Sequence, residues 1–188
     1  MMIIGICGRA GSGKDTTASL LQSFLPEDST RTRAFAKPLK DAAKAKFGLT
    51  DWHVNTQEGK REFVPYLGKT VRQLLELEGT EATRDVYGSN FWICRMAQEI
   101  DTAFKENIKV FIITDVRFEN EAEFIRDNGG LIFQIDRELE QELATVSHAS
   151  AQPLPPHLVN IFVPNNGTIK DLEKEVKDLA EVIKENME

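Results

Sequence analysis

A glycine-rich segment near the start of the chain constrains the fold most: Gly8-Arg9-Ala10-Gly11-Ser12-Gly13-Lys14-Asp15-Thr16. It follows a short apolar run, residues 2–7, and precedes a helical pattern, so it joins a predicted strand to a predicted helix. Glycines lack Cβ atoms, so the backbone can turn N–H groups around an anion, and the helix N-terminus adds partial positive charge. The spacing G-x-x-x-x-G-K predicts a phosphate-binding loop, or P-loop, with Lys14 on the donor phosphates. The alternative is a glycine-rich turn that binds nothing.

Composition limits the classes of partner. The chain has 188 residues and a net charge of -7, which argues against general binding to nucleic acid or to anionic membranes. A polyphosphate ligand therefore needs a local cluster of cations. The two cysteines, Cys7 and Cys94, stand in patterns typical of buried residues, and the N-terminal apolar run is too short for a signal peptide or membrane span. We predict a cytoplasmic protein with reduced cysteines.

The order of apolar patterns predicts an α/β fold with a mostly parallel five-stranded sheet flanked by helices. One predicted strand precedes the P-loop, and four more occupy residues 30–36, 110–115, 131–136 and 159–163. Residues 37–109 form a helical insertion, in which periodicity fades between residues 48 and 67 and indicates a loop or flap. Residues 137–158 are polar and contain prolines, which indicates a lid-like loop. The whole chain is predicted to be one domain.

Asp115 ends the apolar run Val110-Phe111-Ile112-Ile113-Thr114, which is typical of a strand buried on both faces. In open α/β sheets, ligands bind beyond the carboxyl ends of the strands, where the P-loop and Asp115 both fall. We predict that Asp115 reaches Mg²⁺, although an Asp that caps the following helix is the alternative. The usual metal-binding Ser or Thr after the P-loop lysine is replaced by Asp15, with Thr16 one step later, and Asp15 is the second predicted metal ligand.

Phosphoryl transfer needs positioning and positive charge around the transferred group. Arg72 and Arg84 lie on the helical insertion, while Arg117 and Arg137 follow strands, so the four can converge at one edge of the sheet. Solvated surface arginines are the alternative for each. Trp92 is a candidate for stacking on a base, although an aromatic residue near a helix start is more often part of the core.

Several segments together resemble the bacteriophage-type deoxynucleoside monophosphate kinases, a group of P-loop nucleotide kinases. The resembling segments are the P-loop itself, Phe35-Ala36-Lys37-Pro38-Leu39-Lys40, Val71-Arg72-Gln73-Leu74-Leu75, Gly79-Thr80-Glu81 with Arg84, Asp115-Val116-Arg117-Phe118-Glu119-Asn120-Glu121 and Asn166-Gly167-Thr168. Asp commonly follows the P-loop lysine in that family, as Asp15 does here. The family often has His-x-Ser-Glu in the late loop, where this chain has His148-Ala149-Ser150-Ala151, which places the role of that loop in question.

The resemblance implies transfer of the γ-phosphoryl group of ATP to a deoxynucleoside 5'-monophosphate, with ATP and Mg²⁺ as cofactors. Matching positions imply catalytic roles for Lys14, Asp115 and Arg117 and acceptor-binding roles for Lys37, Arg72 and Arg84. The nucleotide-binding residues are then Gly8, Gly11, Ser12, Gly13, Lys14, Asp15, Thr16 and Arg137. Two alternatives stay open: another small-metabolite P-loop kinase, of the dephospho-coenzyme A or phosphomevalonate kinase type, and a nucleotide-binding switch without an acceptor. A homodimer is compatible with this interpretation, and the sequence leaves the oligomeric state open.

Overall fold

A computed structural model describes residues 1–138 and 153–186 of the chain. Five strands build the main sheet: β1 (Met2–Cys7), β2 (Thr30–Arg33), β5 (Val110–Ile113), β6 (Leu131–Asp136) and β7 (Ile161–Pro164). They lie in the order β2-β5-β1-β6-β7, and every neighbouring pair is parallel. The predicted α/β fold with its five-stranded, mostly parallel sheet is therefore confirmed.

Helices pack on both faces of this sheet because its central strands are apolar on both sides. Side chains alternate along β1, so Ile4 and Ile6 face one way and Gly5 faces the other. Ile4 and Ile6 join a core cluster with helices α1 (Lys14–Phe24) and α9 (Ile169–Glu185). On the opposite face, a Cβ at Gly5 would lie 2.8 Å from Ile125 Cδ1 of α8 (Glu119–Asp127). Glycine at this position lets α8 approach the sheet closely.

The chain divides into two compact units. The sheet unit comprises Met1–Ala34 and Met96–Glu188, and the helical unit comprises Phe35–Arg95. The division falls within helix α7 (Phe91–Lys105). The helical unit contains the remaining α-helices and strands: α2 (Ala36–Phe47), α3 (Asp51–Asn55), α4 (Gln57–Arg61), β3 (Phe63–Val64), β4 (Lys69–Thr70), α5 (Val71–Gly79) and α6 (Arg84–Tyr87).

The segment predicted as a loop, residues 48–67, is instead mostly ordered into short elements. Helices α3 and α4 occupy it, and β3 pairs with β4 in an antiparallel ladder. Thr56 caps α4 by accepting a hydrogen bond from Gly59 N at 2.9 Å. The prediction was wrong because each helix has five residues, too few for a helical period to show in the sequence. Helix α5 ends at Gly79.

Three further predictions concern the cysteines, the late loop and membrane-spanning segments. Cys7 is buried as predicted, but Cys94 is exposed, because it lies on the outward side of α7. Residues 139–152, which include most of the predicted lid-like loop and His148-Ala149-Ser150-Ala151, lie outside the described residues. Within the described ranges, no helix is both long enough and apolar enough to cross a membrane.

Candidate active site

The P-loop joins the end of β1 to the start of α1 through three glycines with positive φ: Gly8 at 141°, Gly11 at 78° and Gly13 at 98°. Side chains rarely adopt such angles, so glycine is the residue these turns require. Space also demands it, because a Cβ at Gly8 would lie 2.6 Å from the carbonyl oxygen of Ile135. The loop backbone is therefore shaped by local sequence and lies against the end of β6.

Lys14 folds back over its own loop. Its Nζ donates hydrogen bonds to the carbonyl oxygens of Gly8 at 2.9 Å and Arg9 at 2.7 Å. An ammonium group has three N–H donors, so these two bonds leave one donor for an anion. Burial lowers the pKa of Lys14 and the positive charge of Arg117 lowers it further, while Asp15 and Asp115 act in the opposite direction. Lys14 and Arg117 thus bring two positive charges together, as an approaching phosphate requires.

Asp115 and Arg117 reach this place because the segment after β5 lies along the end of β1. Thr114 N donates to the Arg33 carbonyl at 3.0 Å and Val116 N donates to the Ile6 carbonyl at 3.1 Å, which fixes Asp115 between them. The structure therefore brings Lys14, Asp15, Asp115 and Arg117 within electrostatic reach of one another. All four were predicted site residues.

Glu121 supports this segment and was missed as a site residue. Its carboxylate, on a side chain only 2% exposed, accepts hydrogen bonds from the backbone N–H groups of Arg117 at 2.9 Å and Phe118 at 3.2 Å. A Glu at the third position of a helix often returns to the N-cap in this way. Phe118 stands where that sequence signature has Ser or Thr, so the usual signal was incomplete.

The turn after β7 also contacts the P-loop. Asn165 donates a hydrogen bond from Nδ2 to the Ser12 carbonyl at 2.7 Å, although 153 positions separate the two residues. Its neighbour Asn166 accepts a hydrogen bond from Glu138 N at 2.7 Å. Arg137, a predicted nucleotide-binding residue, is exposed directly after β6, the strand beside β1. No sequence period connects such distant segments, so the Asn165 contact could not be predicted.

The predicted acceptor-binding residues all lie in the helical unit, and their environments differ. Lys37 and Arg72 are exposed: Lys37 pairs with Asp41 at 2.8 Å, and Arg72 Nη2 donates to Gln57 Oε1 at 2.9 Å. Arg84 is buried and donates to the carbonyl oxygen of Ser89 at 2.7 Å.

Trp92 is 8% exposed, and its Nε1 donates to the Gly79 carbonyl at 3.0 Å. This is the environment of a core residue, the structural alternative that the sequence left open. The ring of Phe91 packs edge-on against the Trp92 ring, with ring centroids 4.9 Å apart. Stacking of Trp92 on a base stays a prediction.

The residues around the P-loop fit a polyphosphate. The three glycines form a cradle, Lys14 and Arg117 supply positive charge, and the buried Ser12 Oγ has no hydrogen-bond partner among the described residues. Those residues contain no group of three or more His, Cys, Asp or Glu side chains that could hold a metal. A Mg²⁺ ion here would therefore take its ligands from one or two carboxylates and from the phosphates, which is its common mode in kinases.

Comparison with known proteins decides the family. The sequence profile of the family "Deoxynucleotide monophosphate kinase" matches residues 67–176. The chain belongs to the deoxynucleotide monophosphate kinase family. A relative from Acanthamoeba polyphaga mimivirus, provisionally named a deoxynucleotide monophosphate kinase, is 35% identical over 153 residues, which cover 73% of this chain and 75% of the relative. The deoxynucleoside-5'-monophosphate kinase of Escherichia phage T5 is 26% identical over 187 residues, covering 69% and 74% of the two chains. The resemblance stated from the sequence is confirmed.

Solved structures similar to this deoxynucleotide monophosphate kinase family member support the fold. Dephospho-CoA kinase from Campylobacter jejuni superposes with a TM-score of 0.54 at 14% identity and covers 98% of both chains. The protein TT1252 from Thermus thermophilus superposes with a TM-score of 0.55 at 20% identity, covering 98% of this chain and 97% of its own. At such low identity these likenesses concern the fold alone.

Proposed function

We propose that this protein transfers the γ-phosphoryl group of ATP to a deoxynucleoside 5'-monophosphate, giving the diphosphate and ADP. The observation that carries the proposal is the P-loop cradle with Lys14 at its mouth and Asp115 and Arg117 beside it, in a chain of this family. An oxygen of the acceptor phosphate forms the new bond to the γ-phosphorus. The bond from that phosphorus to the β-γ bridging oxygen breaks, and ADP leaves with the electron pair.

The chain's own residues act through charge and position. Lys14 binds the donor phosphates with the N–H that its two carbonyl partners leave. Arg117 neutralises charge that spreads over the transferred group, and Glu121 holds its backbone in place. The loop N–H groups of Gly8, Gly11, Ser12 and Gly13 cradle the phosphates, and Arg137 contacts the donor nucleotide.

Asp15 and Asp115 are the residues proposed to hold Mg²⁺, with the Thr16 hydroxyl as a further candidate. The ion would offset the negative charge of the β- and γ-phosphates. Asp15 and Thr16 are both exposed in the first turn of α1. The carboxylates of Asp15 and Asp115 are close enough to Lys14 to act on its pKa in the upward direction. The donor set is oxygen only, which suits this hard cation.

The helical insertion, residues 37–109, is proposed to hold the acceptor, and residues 137–158 are proposed to act as a lid in a single kinase domain. Arg72 is the leading candidate for the acceptor phosphate, because its guanidinium is exposed and its partner Gln57 is a neutral amide that a dianion can displace. Lys37 is exposed on α2, which packs against α5. Arg84 is buried and donates to the Ser89 carbonyl, so its proposed contribution is to stabilise the conformation of this unit.

The experiment is a panel of acceptors with Mg-ATP, scored by ADP production and product identity. Deoxynucleoside monophosphates should be phosphorylated, whereas dephospho-coenzyme A and phosphomevalonate should not. Turnover of a non-nucleotide acceptor alone would favour another small-metabolite kinase. Hydrolysis or binding of ATP with no accepted acceptor would favour the nucleotide-dependent switch.

Arg72→Ala tests the acceptor assignment on its own. We expect the apparent KM for the deoxynucleotide to rise at least tenfold whichever base is attached, while that for ATP changes less than twofold, since a charge-assisted bond to phosphate is lost. Lys46→Ala is the matched control, because Lys46 is an exposed cation of the same unit paired with Glu78 at 2.7 Å. An equal loss for both substrates, or an equal effect in the control, would contradict the assignment. A homodimer and a cytoplasmic location stay predictions.

A further inference from the structure

Asn165 connects three segments that are far apart in the sequence. It directly follows β7, and its backbone N–H donates to the carbonyl oxygen of Asp136 at the end of β6 at 2.7 Å. Its side chain donates from Nδ2 to the carbonyl oxygen of Ser12 within the P-loop, also at 2.7 Å. The residue is 8% exposed, so both bonds are largely shielded from water.

The bond to Ser12 determines the direction of a neighbouring N–H group. A planar trans peptide directs its C=O and its N–H to opposite sides, so holding the Ser12 oxygen also fixes the direction of Gly13 N–H. Gly13 has φ 98°, and a Cβ at Gly13 would collide with Nδ2 of Asn165. The side-chain amide therefore packs directly against the peptide that it orients.

Anion binding by a P-loop depends on N–H groups that already point at the ligand. Glycine-rich backbone has several accessible conformations, and glycines with positive φ can flip their peptides at little cost. A rigid partner from outside the loop removes this freedom before the ligand arrives. Preorganisation of this kind acts on affinity for the anion more than on the fold as a whole.

We propose that Asn165 is a positioning residue for the donor nucleotide, whose amide holds the Ser12–Gly13 peptide in the orientation that binds phosphate. The inference rests on the proposed function only in that the P-loop binds ATP. It assigns to the turn after β7 a role in setting the geometry of a loop at the other end of the chain.

The test compares Asn165→Leu with Asn165→Ala and with the neighbouring control Asn166→Ala. Leucine keeps the branched shape of asparagine but can neither donate nor accept a hydrogen bond. The dissociation constant for Mg-ATP is measured by calorimetry without acceptor, well below the melting temperature of each variant. We expect binding to weaken about 10- to 100-fold in both Asn165 variants, because the Ser12 carbonyl loses its buried partner. Asn166 bonds Glu138 and not the P-loop, so its variant should bind within twofold of the parent.

Kinetics separate positioning from structural support. At saturating ATP, the apparent KM for the deoxynucleotide should change less than twofold in the Asn165 variants. Unchanged Mg-ATP binding in Asn165→Leu, whatever its melting temperature, would overturn the proposal, as would an equal loss in Asn166→Ala. If Asn165→Ala does not fold, the shape-preserving Asn165→Leu decides. A parent protein that binds no Mg-ATP would instead refute the proposed function.

Discussion

Single residues at the P-loop show how charge is arranged before any ligand binds. Lys14 is held by two carbonyls of its own loop, and Arg117, Asp15 and Asp115 lie within electrostatic reach of it. The lowered pKa of Lys14 means that the folded chain disfavours its charged form relative to the unfolded chain. The ammonium is therefore placed for a ligand at some cost to the empty protein.

Lys14→Met should lower turnover sharply without destabilising the protein. Methionine keeps the apolar stem but loses the charge that stabilises the transferring phosphoryl group, a loss of about 3–4 kcal/mol, or roughly a hundred- to a thousandfold in kcat. The free energy of unfolding should stay equal or rise, because the disfavoured charge beside Arg117 is gone. Initial rates and urea unfolding of the variant and the parent measure both. A variant with most of its activity would refute the role of the P-loop lysine.

The two thiols should differ sharply in reactivity. Burial raises the pKa of the Cys7 thiol to about 11, opposed by the charge of Lys14, while Cys94 is exposed. The thiolate is the reactive form, so at pH 8 a disulfide reagent should modify one thiol per native chain and two after denaturation. A Cys7→Ala protein should keep the fast-reacting thiol and a Cys94→Ala protein should lose it.

The raised pKa of Cys7 also determines how the free energy of unfolding changes with pH. The unfolded Cys7 thiol ionises near its ordinary pKa of 9.0, whereas the folded one stays protonated until about 11, so stability falls as the pH rises through this window. The urea midpoint of the parent should therefore fall more steeply than that of Cys7→Ala between pH 9 and pH 11. Parallel curves would show that burial of this thiol does not perturb its ionisation.

At the scale of elements, the helical unit depends on close approach of short helices. Helices α3 and α4 have five residues each and lack the length to be stable alone. Gly59 of α4 is buried against the backbone of α3: a Cβ there would collide with the Trp52 carbonyl and lie 2.7 Å from His53 Cα. Because backbone atoms cannot rotate away as side chains do, glycine is what lets these helices pack.

Gly59→Ala should accordingly destabilise the protein by about 1–3 kcal/mol, the usual cost of inserting a group into a packed site. In urea unfolding, this loss of stability should appear as a lower midpoint concentration of urea, with an unchanged dependence of the unfolding free energy on urea concentration. Glu58→Ala, at an exposed position of the same helix, is the control and should change stability by no more than about 0.5 kcal/mol. Equal midpoints for the two variants would show that α3 and α4 can separate at no cost.

At the scale of the whole molecule, an acidic chain has to bind two acidic substrates. The net charge of -7 repels nucleotides at a distance, so binding depends on local cations in each compact unit. The sheet unit offers Lys14 and Arg117, and the helical unit offers Lys37 and Arg72. The division of the chain thus matches the proposed division between donor and acceptor.

Hydrogen exchange can test this division directly. ATP should slow amide exchange in the peptide that covers residues 8–16, and a deoxynucleoside monophosphate alone should slow it within residues 35–95, since a ligand stabilises the segments it binds. Exchange in α9, which carries none of the proposed contacts, serves as the internal reference. Protection by the deoxynucleotide confined to the P-loop would contradict the assignment of the acceptor to the helical unit.

The sequence alone determined the features that depend on neighbouring residues. The glycine spacing predicted the P-loop because positive φ angles are a local property, and the apolar run ending at Asp115 predicted the buried strand β5. The start of α9 is also local in origin, because Thr168 and Asp171, three positions apart, form both halves of its capping box. These signals lie within a few positions of one another, so no knowledge of the rest of the chain was needed.

Only the tertiary structure decided which distant segments meet. The Asn165 side chain donates to the Ser12 carbonyl across 153 positions, and the Glu121 carboxylate accepts a hydrogen bond from the backbone N–H of Arg117. Trp92 is buried and donates to the Gly79 carbonyl, whereas Cys94 is exposed. A local pattern records whether a side chain prefers water or the core, but not which backbone group lies opposite it in the folded chain. Those pairings follow from how the sheet and its helices pack, and that packing depends on the whole sequence.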